Sequence, residues 1–206
     1  WWVASDVFTG RAMGWRLAED THLTFGGGSK IQNADCVSVL KDDWFVTGHE
    51  DGHLSLWMSE KKKAVATVEH AHGLTSDGQG NGLLSVATLQ GSDVAASGSN
   101  NGFLRFWKAR TGKTLKERGL DPLCQIPLHG YINGIAFGPK AKFCVVALGQ
   151  EHKFGRFARV KGAKNRFGIV KLQSAEQEDD DEEAEEEVAE QEEDAVDQSA
   201  SDSDEE

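Results

Sequence analysis

Short apolar runs broken by polar turns, rather than long helical stripes, dominate the first 172 residues. The clearest case is Thr47–Trp57, where two alternating β-prone runs, Trp44–Thr47 and His53–Trp57, flank Asp51-Gly52. An Asp-Gly pair in that setting predicts a hairpin, because glycine takes the positive φ that such turns require. The layout recurs at Ser97–Trp107 around Asn101-Gly102 and, more loosely, at Leu148–Phe157, where Phe157 takes the tryptophan position. Backwards, Trp15 precedes Trp57 by 42 residues. A period of about 40–50 residues closed by an aromatic predicts an all-β propeller built of four-stranded blades.

Three full repeats and a remnant follow. Residues 1–25 read as the remnant, with strands at Val3–Phe8, Arg11–Trp15 and His22–Phe25, and Gly26–Ser29 as a loop. Within residues 26–173, the first repeat has strands at Cys36–Leu40, Trp44–Thr47, Leu54–Met58 and Ala64–Val68. The second has Leu83–Leu89, Val94–Ser97, Phe103–Lys108 and Leu123–Ile126. The third has Ile132–Phe137, Phe143–Ala147, Phe154–Val160 and Phe167–Leu172. Runs that are apolar throughout, such as Phe143–Ala147, suit inner strands buried on both faces by neighbouring blades. Ala109–Leu120 reads as a long polar loop. His72–Gly82 reads as a Gly-rich loop that lacks the Gly-Lys-Ser/Thr ending of a phosphate-binding loop. Such a set is too small to close a ring on its own and leaves packing faces open, so the isolated chain is expected to be poorly stable.

Charge divides the chain. The formal net charge of −12 averages a body of residues 1–175, with 22 Lys and Arg against 15 acids, and a stretch from Glu176 with 19 acids and no cation. The positive body points to a polyanionic partner. Residues 174–206 cannot bury a core and are expected to form a disordered acidic tail, in which Ser201 and Ser203 each have an acid three residues on and suit an acidophilic kinase. Three scattered cysteines fit neither a disulfide framework nor a zinc ribbon. No apolar run is long enough to span a bilayer as a helix.

Few constellations suggest catalysis. His70 and His72 would share a strand face, which admits a metallohydrolase reading with His152, but no third ligand is nearby in sequence. The alternative is that these imidazoles, with His129 before the third repeat, buttress blades by hydrogen bonding. Asp51, Asn101 and Glu151 each stand six residues before the closing aromatic, a recurrence that assigns them to turns. No cofactor, metal or small-molecule substrate is implied.

The informative stretch is 153–171, where Lys153, Arg156, Arg159, Lys161, Lys164, Arg166 and Lys171 occur without one acid, interleaved with Phe154, Phe157 and Phe167. Cations attract phosphates, and arginine adds bidentate and stacking geometry. The phenylalanines are expected to be mostly core. Lys61–Lys63 and the set Lys108, Arg110, Lys113, Lys116 and Arg118 follow the same strand of their blades, which places both on one side.

The repeats resemble WD40 repeats, with Met58, Lys108 and Ala158 where the family has Asp. More narrowly, Val46–Trp57, Lys62–Gly73, Ser92–Gly98, Leu123–Gly130 and above all Gly149–Phe157, followed by Arg159, Lys161, Ala163 and Asn165, resemble the C-terminal half of one WD-repeat family. It is that of the 55-kilodalton proteins of the U3 small nucleolar ribonucleoprotein. The resemblance covers about Asp6 to Leu172, and it departs at Phe157-Ala158, where paired tryptophans are usual. It implies a non-catalytic nuclear and nucleolar protein that binds U3 RNA beside kink-turn-binding and other box C/D proteins. Its place would be the small-subunit processome, which matures 18S ribosomal RNA. On that reading Gln150, His152, Lys153, Arg156, Arg159, Lys161, Lys164 and Arg166 contact RNA. Trp15, Asp51, Trp57, Asn101, Trp107, Glu151 and Phe157 carry the repeat. The rival reading is a protein-only scaffold whose acidic tail engages basic partners.

Overall fold

The computed structural model describes residues 2–6, 11–16, 20–26 and 33–172. The chain separates into two compact units, Trp1–Val170 and Lys171–Glu206. Of the second only Lys171 and Leu172 are described, so the tail with Ser201 and Ser203 lies outside the described residues.

Every described sheet is antiparallel where its pairing is defined, as expected of hairpins joined by short turns. A three-stranded sheet holds β1 (Trp2–Asp6), β2 (Arg11–Arg16) and β3 (Thr21–Phe25). The first full blade is β4 (Ala34–Lys41), β5 (Trp44–His49), β6 (Leu54–Met58) and β7 (Ala66–Val68), in that order across the sheet. The second is β8 (Leu83–Thr88), β9 (Val94–Ser99), β10 (Phe103–Thr111) and β11 (Arg118–Pro127). The third holds β12 (Tyr131–Phe137), β13 (Phe143–Gly149) and β16 (Arg166–Lys171), while β14 (Glu151–His152) and β15 (Gly155–Arg159) pair only with each other. The inner strands β4, β8 and β12 lie side by side. In addition β1 meets β4 as β5 meets β8 and β9 meets β12, so β1–β2–β3 occupy the places of β5–β6–β7.

Blades are joined by apolar faces. Leu40, Val46, Leu56, Leu83, Val86 and Trp107 belong to one buried cluster spanning the first two blades. Between the remnant and the first blade, Phe45 and Trp57 stack at 5.9 Å and 3°, and Phe25 meets both edge-on. Polar bonds cross the first two blades at Ser38 Oγ–Thr88 Oγ1 (2.8 Å) and Lys41 Nζ–Asp93 Oδ1 (2.6 Å). Between the second and third blades, Ser85 Oγ donates to the Ile132 carbonyl at 2.9 Å, and Gly98 lies flat against Ile132. A Cβ at Gly98 would sit 2.2 Å from Ile132 Cγ2. Gly98→Ala is therefore expected to push these blades apart at a cost of about 1–3 kcal/mol. Urea unfolding checks this, and an unchanged midpoint would mean the interface yields freely.

Two expectations need correction. Half of Ala109–Leu120 is strand, because β10 extends to Thr111 and β11 starts at Arg118, with Arg110 bonding Asp121 across the hairpin at 2.6 and 3.3 Å. Phe154–Val160 is not the third strand of the last blade: β16 takes that place beside β13.

Candidate nucleic-acid interface

The connections between second and third strands set the site. In the first blade, Asp51 Oδ1 accepts the His53 backbone N–H at 3.2 Å and lies 2.8 Å from His53 Nδ1, with Gly52 at φ +85°. In the second, Asn101 Oδ1 accepts from Phe103 N at 3.1 Å, and its Nδ2 donates to the His72 carbonyl at 2.8 Å. Both residues build turns, as read from the sequence.

Behind each turn a polar chain secures the third strand. Trp57 Nε1 donates to Thr47 Oγ1 at 2.8 Å, which lies 2.7 Å from His49 Nε2. Trp107 Nε1 donates to Ser97 Oγ at 2.8 Å, which lies 2.7 Å from His72 Nε2. All four of these flanking residues on the strands, Thr47, Trp57, Ser97 and Trp107, are buried. His72 is thus engaged in buttressing. Among the described residues no group of three His, Cys, Asp or Glu is placed to hold a metal. Trp15, on the equivalent strand of the remnant, is 36 % exposed and does not share this seclusion.

Fifty residues beyond Ser97 and Trp107, and a hundred beyond Thr47 and Trp57, the chain has Ala147 and Phe157. Neither a hydroxyl nor an indole N–H is present, so the securing chain cannot form. The strand that carries Phe157, β15, leaves the sheet and folds onto β14. Gln150, just after β13, donates its N–H to Asn165 Oδ1 at 2.9 Å, just before β16. Hence β16 starts where β13 ends and runs back along it, and residues 150–165 form an excursion at the end where the other blades have only turns.

This excursion gathers the expected RNA contacts, but not as equals. Gln150 is its hub: Oε1 accepts from Arg159 Nη2 at 2.5 Å, Nε2 donates to the Ala163 carbonyl, and its own carbonyl accepts from Val160 N at 2.9 Å. Lys153 reaches inward, Nζ donating to the carbonyls of Asp35 (3.3 Å) and Leu84. His152 Nδ1 accepts from Phe154 N at 3.0 Å; burial, then the Lys153 ammonium, holds its pKa below the ordinary imidazole value. Burial and the carboxylates of Glu50 and Asp51, opposed by Lys153, push Asp35 up to about 6. Arg159, Lys161, Lys164 and Arg166 are exposed, whereas the side chains of Arg156 and Phe157 lie outside the described ones. Between the excursion and β13 lies an open cleft of about 530 Å³, lined by Asn133, Leu148, Gly149, Gln150, Arg159 and Asn165.

The other cation clusters sit at the opposite strand ends, in the β6–β7 and β10–β11 connections, as their shared strand position implied. The second is partly consumed internally. Arg110 pairs with Asp121, and Arg118 donates to the carbonyls of Gly112 and Lys113 and lies 5.5 Å over the Trp44 ring. Sequence reasoning missed Asn133, whose amide donates to the Glu151 carbonyl at 2.9 Å and accepts from Lys153 N at 3.1 Å. It carries no periodic signal. The expectation that the phenylalanines are mostly core fails for Phe154 (51 % exposed) and Phe167 (80 %).

No protein-family model matches the chain. It is 37 % identical over 158 residues to the U3 small nucleolar RNA-interacting protein 2 of Mus musculus, covering 75 % of this chain and 32 % of that protein. It is 27 % identical over 222 residues to Ribosomal RNA-processing protein 9 of Saccharomyces cerevisiae, covering 75 % and 38 %. A solved structure of U3-55K superposes with a TM-score of 0.76 at 34 % identity, over 82 % of this chain and 51 % of that one. The crystal structure of the RRP9 WD40 repeats also gives 0.76 at 34 % identity, over 83 % and 51 %. The chain belongs to this U3-associated WD-repeat family. It spans about a third of the length of the curated relatives it matches and about half of the solved chains. Gly149–Phe157, the most specific motif of the resemblance, coincides with the excursion by which the third blade departs from the other two.

Proposed function

We propose that the chain is a non-catalytic RNA-binding component of the U3 small nucleolar ribonucleoprotein, acting in pre-ribosomal RNA processing and 18S maturation in the nucleolus. Kink-turn-binding and other box C/D proteins are its neighbours in the small-subunit processome. Named relatives interact with U3 small nucleolar RNA or process ribosomal RNA, which supports the setting. The observation that carries the reading is the 150–165 excursion. It replaces a tight turn and presents Arg159, Lys161 and Lys164, with Arg166 at its end, in a run from 153 to 171 that has no acid. Cations so arranged neutralise phosphates and release counterions on binding. Gln150 and Lys153 act in this reading by holding the excursion in place, and His152 belongs to the same internal framework.

The test is a U3 stem RNA titrated against the full chain carrying Arg159→Gln, Lys161→Gln and Lys164→Gln together. Affinity is expected to fall about 10–30-fold at physiological salt, and the salt slope to flatten by about 2. Unchanged affinity and slope would place the RNA elsewhere. Ribonuclease-insensitive association with the particle would instead favour the protein-only scaffold.

A further inference from the structure

Phe154 is a large apolar side chain in the β14–β15 turn, half exposed, yet held by more contacts than a surface loop needs. Its N–H donates to His152 Nδ1 at 3.0 Å, and its ring lies 5.3 Å from the His152 ring, which is 6.2 Å from buried Tyr131 at the start of β12. Lys153 Nζ lies 4.7 Å from the Phe154 ring centroid. That ammonium is fixed by carbonyls of Asp35 on β4 and Leu84 on β8, and the Lys153 N–H by Asn133 on β12. Three inner strands therefore set the position of one cation, and that cation sets the ring.

The cost of leaving the ring in water is not recovered by core packing. An aromatic ring fixed in advance and flanked by cations is the arrangement that stacks nucleobases, since every base has a π-face and phosphates lie on either side of it. Arg159, Lys161 and Lys164 of the same excursion are exposed to supply the phosphate contacts. A base inside a duplex already has both faces covered, so only an unpaired nucleotide can use the platform. We infer that Phe154 stacks an unpaired base next to the stem that the excursion grips, with Lys153 as the residue that positions the ring. The inference rests on the nucleic-acid reading above. Phe167 and Ile169 are also exposed, at alternate positions of β16.

The experiment uses the full chain with Phe154→Ala and Phe154→Tyr, and two probes: a U3-derived stem with a single-stranded flank and the same stem fully paired. A 2-aminopurine in the flank reports stacking. Phe154→Ala is expected to weaken the flanked probe about tenfold and leave the paired probe and the salt slope unchanged. The 2-aminopurine quenching should vanish in Phe154→Ala and persist in Phe154→Tyr. Equal weakening of both probes, or loss of helix-free β-sheet circular dichroism in Phe154→Ala with failure of Phe154→Tyr as well, overturns the stacking role. If Phe154→Ala is silent while the three-cation variant loses affinity, stacking fails and the nucleic-acid reading stands. If both variants are silent, both fail.

Discussion

Trp107→Ala is expected to lower the unfolding free energy by about 3–5 kcal/mol, the range for deleting a buried tryptophan. Trp107 is 3 % exposed, belongs to the cluster that joins the first two blades, and donates to Ser97. Its loss removes packing and one link of the chain that ends at His72. Trp107→Phe separates the two effects: the ring remains largely packed, the N–H is gone, and about 1 kcal/mol should be lost. Urea unfolding followed by far-ultraviolet circular dichroism measures both without relying on the altered fluorophore. Equal losses in the two variants would mean that the hydrogen bond, rather than burial, dominates. Losses below about 1 kcal/mol in both would remove Trp107 from the framework of the blade. The protein holds its own comparison, because Ala147 and Phe157 stand at the corresponding positions of the third repeat and β15 is not retained in that sheet.

That comparison also explains what the sequence could reveal. Alternation and Asp-Gly or Asn-Gly turns are local signals, and the strands of the first blade agree with them to within about two residues. The roles of Asp51 and Asn101 followed from their recurrence. Local signals cannot say which strand a run pairs with. Residues 154–160 have strand character and do form β15, but its partner is β14, and β16 is the neighbour of β13. The readable clue was the hydroxyl missing at Ala147. Charge misled at Ala109–Leu120, where polarity suggested a loop although both ends of the stretch are paired strand and Arg110 bonds Asp121 diagonally across them. It misled again at Lys153, since a lysine in a basic run looks like a phosphate contact until its ammonium is found on the carbonyls of two other blades.

Acid should unfold the protein through His72. The side chain is buried, and desolvation, then the nearby Arg105 guanidinium, lowers its pKa from 6.5 to about 3. Above the unfolded-state value both states hold a neutral imidazole, and the contribution of His72 to stability is complete. As pH falls below 6.5 the unfolded chain binds a proton that the folded one refuses, so stability drops by at most about 1.4 kcal/mol per pH unit until the folded pKa is reached. At pH 5 the loss from this residue is about 2 kcal/mol. Asp35 acts in the opposite direction. Its pKa is raised from 3.8 to about 6, so between those values the folded state binds the extra proton and acidification is favourable. Being only half buried, it offsets His72 weakly. The wild-type curve is therefore a sum, and the difference between wild type and His72→Gln isolates the histidine. That difference should shrink by about 2 kcal/mol between pH 7 and pH 5, because the variant forfeits the bond to Ser97 at every pH but has no imidazole to protonate. Parallel curves would mean that His72 accepts its proton in the folded state, and the buried link from His72 through Ser97 to Trp107 would then be open to water.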